Sequence, residues 1–248
     1  DAGLCSLHFT NVSGHDPLVA PHGGSESRLG TNPFCAGFVA GQPDGDPVIV
    51  DFATSKIALG KVRESMASGE KVPDGVLLDS RGFPTRDPHV MFQGSAGGAL
   101  LPMADHKGAG LALLCELLGG TLTGGRTMAP HHARPRNIVL NSMFTIIISP
   151  SQMGGTEETA LGTASAMGLG AEIEMIKSYF ASSPGRPGET PSDGAGGRVL
   201  LPGENERMVE QDRLRDGVPV PPGTLQELRA VALESGMEIN AIDGYLTA

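Results

Sequence analysis

A mixed fold of the α/β or α+β class is predicted by three features of the 248-residue chain. Runs such as DPVIVDF (46–52) and MFTIIIS (143–149) are alternating or β-branched and read as strands. Longer stretches carry apolar residues three and four apart and read as helices, at 54–70, 105–120, 156–180 and 224–236. Turn signals separate them, and the 36 glycines and 19 prolines are spread along the chain rather than gathered in one tract. Strand direction is not readable from this pattern.

Taken in order, the strand at 46–52 predicts a helix directly after it, capped by Thr54 or Ser55. Its stripe is Leu59, Val62 and Met66, and Gly69 stops it. Residues 72–95 hold Pro73-Asp74-Gly75, Arg81-Gly82 and Asp87-Pro88, and predict a surface loop with little regular structure. The next helix has Asp105 as N-cap, a wide face of Leu113, Leu114, Leu117 and Leu118, and Gly119-Gly120 as its end. Residues 143–149 follow as a buried strand, and 156–180 as a helix with Ile173, Ile176 and Phe180 on one side. The composition of 182–197 is that of a linker. After it come a strand-like Arg198–Leu201, a polar helix from Glu204 to Asp216 closed by Gly217, and a last helix. That helix opens on a capping box at Thr224–Glu227, carries Leu225, Leu228, Val231 and Ala232, and stops at Gly236.

Composition narrows the function. A net charge of −10, with no long basic cluster, argues against nucleic-acid and polybasic membrane partners. No run reaches the roughly 18 apolar residues of a membrane span. Cys5, Cys35 and Cys115 are odd in number and far apart, as expected of buried free thiols in a reducing cytoplasm. The chain opens Asp1-Ala2-Gly3-Leu4 without an initiator Met or signal peptide, and reads as the interior of a longer protein.

The common nucleotide signatures fail. Gly108-Ala109-Gly110 begins a GxGxxG, but Leu113 stands at the third glycine, and there is neither a P-loop nor a nucleophile elbow. More informative is His106-Lys107-Gly108 at the head of a helix. A cation there is opposed by the helix dipole, so a lysine beside free amides and glycines suits an anion cradle; a solvated lysine is the plainer alternative. Asp51 ends a strand just before Thr54-Ser55, a position that faces ligands in many folds, or serves as a turn aspartate. Gly30-Thr31-Asn32-Pro33 is a polar turn; Thr31 and Asn32 are substrate-side candidates, with structural use the plainer reading. Adjacent histidines such as His131-His132 point apart, and no neighbouring carboxylate completes a ligand spacing, so no metal site is assigned. His8, His15, His22 and His89 have no partner pattern.

Several stretches occur together in one order: LVAPHGG (18–24), LGTNPF (29–34), IVDFATSKIALGKV (49–62), VPDGVLLDSRGFPTRDP (72–88), GALLPMADHKGAGLALLCELLGGTLTGG (98–125), LPGENE (201–206) and the terminal GTLQELRAVALESG. In this ordered set the chain resembles the malate/L-lactate dehydrogenase family of the non-Rossmann type. HFTNVSG (8–14) and the Asp-His-Lys-Gly at 105–108 are similar to its hydroxycarboxylate dehydrogenase branch.

The resemblance implies a non-Rossmann coenzyme-binding domain with a largely antiparallel sheet over 1–182. Residues 183–248 would be a linker and C-terminal helices of a second domain, and the protein a homodimer. It further implies a cytoplasmic oxidoreductase that moves hydride between a nicotinamide coenzyme and C2 of a small 2-hydroxy or 2-oxo acid. The alternative is a catalytically inactive, coenzyme-binding remnant of the same fold. The coenzyme would lie across Asp51, Phe52, Ala53 and Thr54, with His106, Lys107, Pro202, Gly203 and Glu204 contributing. NAD is favoured over NADP because no cationic clamp for a 2′-phosphate is evident. The family's catalytic histidine and arginine belong to motifs upstream of the position matching Asp1, so no catalytic residue is assigned within these residues. Pro17 stands where ureidoglycolate dehydrogenases have a lysine, which argues against ureidoglycolate as substrate.

Overall fold

The computed structural model describes residues 3–39, 45–94, 97–130, 138–150, 164–185 and 198–237, with backbone alone for 164–167. The chain divides into two compact units, Asp1–Asn205 and Glu206–Ala248.

The first unit holds two antiparallel sheets. One has four strands in the order β3-β2-β1-β7, with β1 Cys5–Ser13, β2 Phe34–Phe38, β3 Val48–Phe52 and β7 Leu140–Ile148. Its registers include Cys35 opposite Asp51, His8 opposite Cys35 and Phe9 opposite Phe144. The other is short, ordered β5-β4-β6, from β4 Leu77–Leu78, β5 Pro84–Thr85 and β6 Ala99–Leu100. The antiparallel arrangement agrees with the resemblance, and the α and β elements are mixed along the chain.

The expected surface loop at 72–95 therefore contributes β4, β5 and a 3₁₀ turn at Pro88–Phe92. The reason is burial: Val72, Val76, Leu77 and Val90 join Val19, Leu29, Val62, Leu100 and Ala112 in one apolar cluster. Glycine and proline spacing marked the turns, but two-residue strands leave no period to read.

Helix α1 spans Leu59–Ser68, with Ala58 at its N-cap. Val62 is fully buried from its stripe, and Gly69 ends it in the left-handed region at φ 73°. Thr54 and Ser55 do not cap it. Their hydroxyls donate to carbonyls instead, Thr54 to Thr31 and Asn32 and Ser55 to Ile57.

Helix α2, His106–Cys115, is oriented oppositely to its leucine pattern. Leu113, Leu114 and Leu117 are about half exposed, at 50%, 48% and 47%. The buried side is Gly108, Ala112, Cys115 and Glu116. Nor do Gly119-Gly120 stop it, because the backbone widens into a π-helical turn over Glu116–Leu122. A Cβ on Gly119 would lie 2.7 Å from the Phe9 oxygen and 2.9 Å from the Asn11 nitrogen. These glycines let the helix ride directly on β1; they are packing residues, not terminators.

Strand β7 lies at the sheet edge and is not buried as expected: Met143 and Ile147 are exposed. Helix α3, Ala164–Ala181, is broken at Gly168 (φ 77°, ψ 153°); Ile173 is buried, whereas Ile176 and Phe180 face outward. The expected strand at Arg198–Leu201 is absent, the backbone there being irregular up to α4. Helix α4 runs Glu204–Asp216, as read, and Gly217 turns at φ 84°.

In the second unit, α5 runs Pro222–Glu234 and begins ahead of the supposed capping box, since Pro222 fits the first helical turn. Gly236 follows it at φ 82°. No described helix is long and apolar enough to cross a membrane.

Candidate active site

Three polar segments of the first unit meet. The 30–32 turn and the turn after β3 are joined where the Thr54 amide donates to the Thr31 carbonyl at 2.9 Å. Thr54 is fully buried, and its Oγ1 donates to the carbonyls of Thr31 (2.9 Å) and Asn32 (3.1 Å). The turn after β3 is joined to the head of α2 by Met103 N donating to Thr54 O (2.9 Å) and Lys56 N to Leu101 O (2.8 Å). Side chains repeat the connection, with Lys56 Nζ 3.3 Å from Asp105 Oδ1.

At the head of α2, Ala104 and Asp105 both have positive φ, 44° and 55°. Asp105 occupies the N-cap position but its side chain caps nothing. The expected free amide at Lys107 is in use, donating to Ala104 O at 3.2 Å. Gly108 is buried, and a Cβ there would overlap the Met103 carbonyl, so its role is packing. The Lys107 side chain is exposed and makes no ion pair among the described residues. His106 is exposed too, its ring edge-on to His22 with centroids 5.9 Å apart. His22 had no partner pattern in the sequence; only the fold brings it to His106.

Asp51 is exposed near the end of β3, and Phe52 packs obliquely on Phe34 with centroids 5.8 Å apart. The Cys35 thiol opposite Asp51 is held above its ordinary pKa, first by burial and then by that carboxylate. Pro202–Glu204 docks on the same strand, Ile49 N donating to Pro202 O at 3.1 Å. Gly203 there has φ 87°, and Glu204 accepts from Leu201 N (2.9 Å) and Arg198 Nη2 (2.5 Å).

Asn32 is buried at φ 32°, and its amide is occupied: Oδ1 accepts from Val12 N (3.1 Å), while Nδ2 donates to Ala112 O (3.0 Å) and Glu116 Oε2 (2.9 Å). Thr31, half-buried, contributes its carbonyl to Thr54. Glu116 is the residue that sequence reasoning missed. Its one signal was a lone carboxylate inside the apolar run LALLCELLGG.

Cys5 and Cys115 are buried and Cys35 half-buried, all three free. Burial, with a smaller push from the Glu116 carboxylate, raises the Cys115 thiol to about 11. No group of three or more metal-ligating side chains occurs among the described residues; His131 and His132 lie outside them.

The sequence profile of the malate/L-lactate dehydrogenase family matches residues 1–229. The chain belongs to that family. It is similar to hydroxycarboxylate dehydrogenase B of Escherichia coli (strain K12), with 38% identity over 245 residues, covering 98% of the chain and 62% of that protein. It is also similar to L-lactate dehydrogenase of Cupriavidus necator, with 36% identity over 232 residues, covering 93% of the chain and 60% of that protein. Among solved structures, an E. coli protein assigned as a malate/lactate dehydrogenase superposes with a TM-score of 0.82 at 37% identity. That match covers 99% of this chain and 62% of the other. The chain thus spans about three-fifths of the length of the curated relatives it matches.

Proposed function

We propose that this chain provides the coenzyme-binding part, over 1–182, of an NAD-dependent dehydrogenase of small 2-hydroxy acids. The observation that carries the reading is the exposed ammonium of Lys107 in the first turn of α2, with no counter-ion among the described residues. The helix dipole opposes a cation there, and an anion seated against it removes the conflict. Membership of a dehydrogenase family supports a nicotinamide coenzyme as the source of that anion.

The donor set suits such a molecule. Lys107 supplies charge for a pyrophosphate, the exposed Asp51 carboxylate can accept from sugar hydroxyls, and His106 and His22 offer ring nitrogens beside the lysine. The Phe52-Ala53-Thr54 turn gives a backbone wall whose shape the buried Thr54 hydroxyl holds. Pro202, Gly203 and Glu204 extend the surface along β3. When bound, the nicotinamide supplies the hydride acceptor or donor, and the protein's share is binding, orientation and charge placement. The substrate would be a 2-hydroxy acid oxidised to its 2-oxo acid, or the reverse. The relatives named for hydroxycarboxylates and L-lactate support that class.

Calorimetry of the complete protein with NADH and NADPH, beside a turnover assay on 2-oxo acids of different side-chain size, tests the reading. Binding of NADH with turnover is expected. Binding without turnover would favour a coenzyme-binding remnant, and no association with either coenzyme would remove the reading.

A further inference from the structure

We infer that Glu116 is a positioning residue for this site, an inference that rests on the coenzyme-binding reading above. A carboxylate in an apolar helix ordinarily faces water, whereas Glu116 is nearly fully buried while Leu113, Leu114 and Leu117 face out. Desolvating a carboxylate is costly unless donors replace the lost water. Here the donors are Asn11 Nδ2 (3.0 Å) and Asn32 Nδ2 (2.9 Å) on Oε2, and the Met128 amide on Oε1. No basic side chain pairs with it among the described residues.

These donors come from separate segments: β1, the 30–32 turn and the 126–128 loop. The bond to Asn32 continues into the site. Asn32 sits at a left-handed φ of 32°, held by Val12 N on its Oδ1 and by Ala112 O and Glu116 on its Nδ2. Its carbonyl accepts from Thr54 Oγ1, and the Thr54 carbonyl accepts from Met103 N, four residues before Lys107. Glu116 at the far end of α2 is thus linked to Lys107 through the helix and, independently, through both turns. It is also the residue at which α2 widens into the π turn. Such local widenings recur at functional sites, where they re-aim side chains.

A carboxylate suits the site because three N–H groups converge on its two oxygens, each of which only accepts. In Glu116→Gln one oxygen becomes an NH₂. The Asn11 amide can rotate to meet it, since Asn11 Oδ1 has no partner among the described residues. Asn32, held on both sides, and the Met128 backbone cannot.

The test uses the complete protein carrying Glu116→Gln, and Asn11→Ala as a milder variant that removes one donor and serves if the first does not fold. Val62→Ala is a destabilising control in the apolar core that removes no hydrogen bond of the network. Glu116→Gln is expected to raise the coenzyme KM roughly tenfold or more, about one lost hydrogen bond to a charged group, with kcat changed less. Val62→Ala should lower Tm and leave KM alone. Hydrogen exchange without coenzyme should quicken at the Val12, Thr54 and Met128 amides in the Glu116 variant, and in Asn11→Ala to a smaller degree. Unchanged KM together with unchanged exchange at those amides overturns the inference. If the unaltered protein binds no coenzyme, the functional reading falls, while exchange at the three amides still decides whether Glu116 positions these turns.

Discussion

Lys56 Nζ stands 3.3 Å from Asp105 Oδ1, joining the turn after β3 to the head of α2 across the candidate site. Both side chains reach solvent, so the pair contributes little to stability, about 0–1 kcal/mol. Its consequence is where charge remains. The carboxylate two residues before Lys107 is turned to Lys56, and the Lys107 ammonium faces outward without an ion pair among the described residues.

Lys107→Ala in the complete protein should therefore raise the coenzyme KM by roughly 10–100-fold, the range of a hydrogen bond to a charged group. Tm should hardly move, because the side chain is exposed. Steady-state kinetics at two salt concentrations checks the cause: salt should weaken coenzyme binding by the parent more than by the variant. Unaltered coenzyme kinetics would take Lys107 out of the site.

Asp105 has φ 55° and ψ −117°, a conformation that favours glycine. Asp105→Gly should relieve strain of about 1–3 kcal/mol. Loss of the Lys56 pair and the greater freedom of unfolded glycine offset part of that. A net rise in Tm of about 2 °C is expected by calorimetry. A fall would show that the ion pair, not the backbone, dominates here.

Two glycine-to-alanine changes should act in opposite directions. At Gly119 a methyl group meets β1 backbone at 2.7 and 2.9 Å, and overpacking of about 1–3 kcal/mol should lower Tm. At Gly60, on an open face of α1 with no atom within 4 Å, the same change should stabilise by about 0.5–1 kcal/mol. Equal shifts at both positions would contradict the packing described for the π turn.

Cys115 carries the pH prediction. Its folded thiol, at about 11, lies above the ordinary value of 9.0, so the unfolded chain loses that proton first. Its contribution to stability is complete below pH 9 and declines from there towards pH 11. Denaturant melts across that window should show a loss that Cys115→Ala reduces. The thiol should also resist alkylation in the native protein at pH 8 and react after unfolding.

Local signals were legible wherever one residue type decides the backbone. Gly69, Gly217 and Gly236 have positive φ where helices were read to stop, and α4 has its expected bounds. Thr54 was misread as a cap because its hydroxyl has a stronger claim on it: two carbonyls more than twenty residues away. The leucines of α2 marked an apolar face, yet periodicity cannot say which face meets the β1 sheet. Small residues and Glu116 took that side because the sheet approaches too closely for leucine.

By itself the sequence determined the kinds of element, several of their ends, the family and the presence of a lysine at a helix head, since these depend on neighbours along the chain. Only the tertiary structure decided that Glu116 faces inward onto Asn11 and Asn32, and that Asp105 turns to Lys56. It also decided that His22 meets His106. Those partners are separated by 49 to 105 residues, or depend on a backbone turn of unusual φ. Hydrogen bonds and close approach across such spans are set by packing, which leaves no periodic trace in the chain.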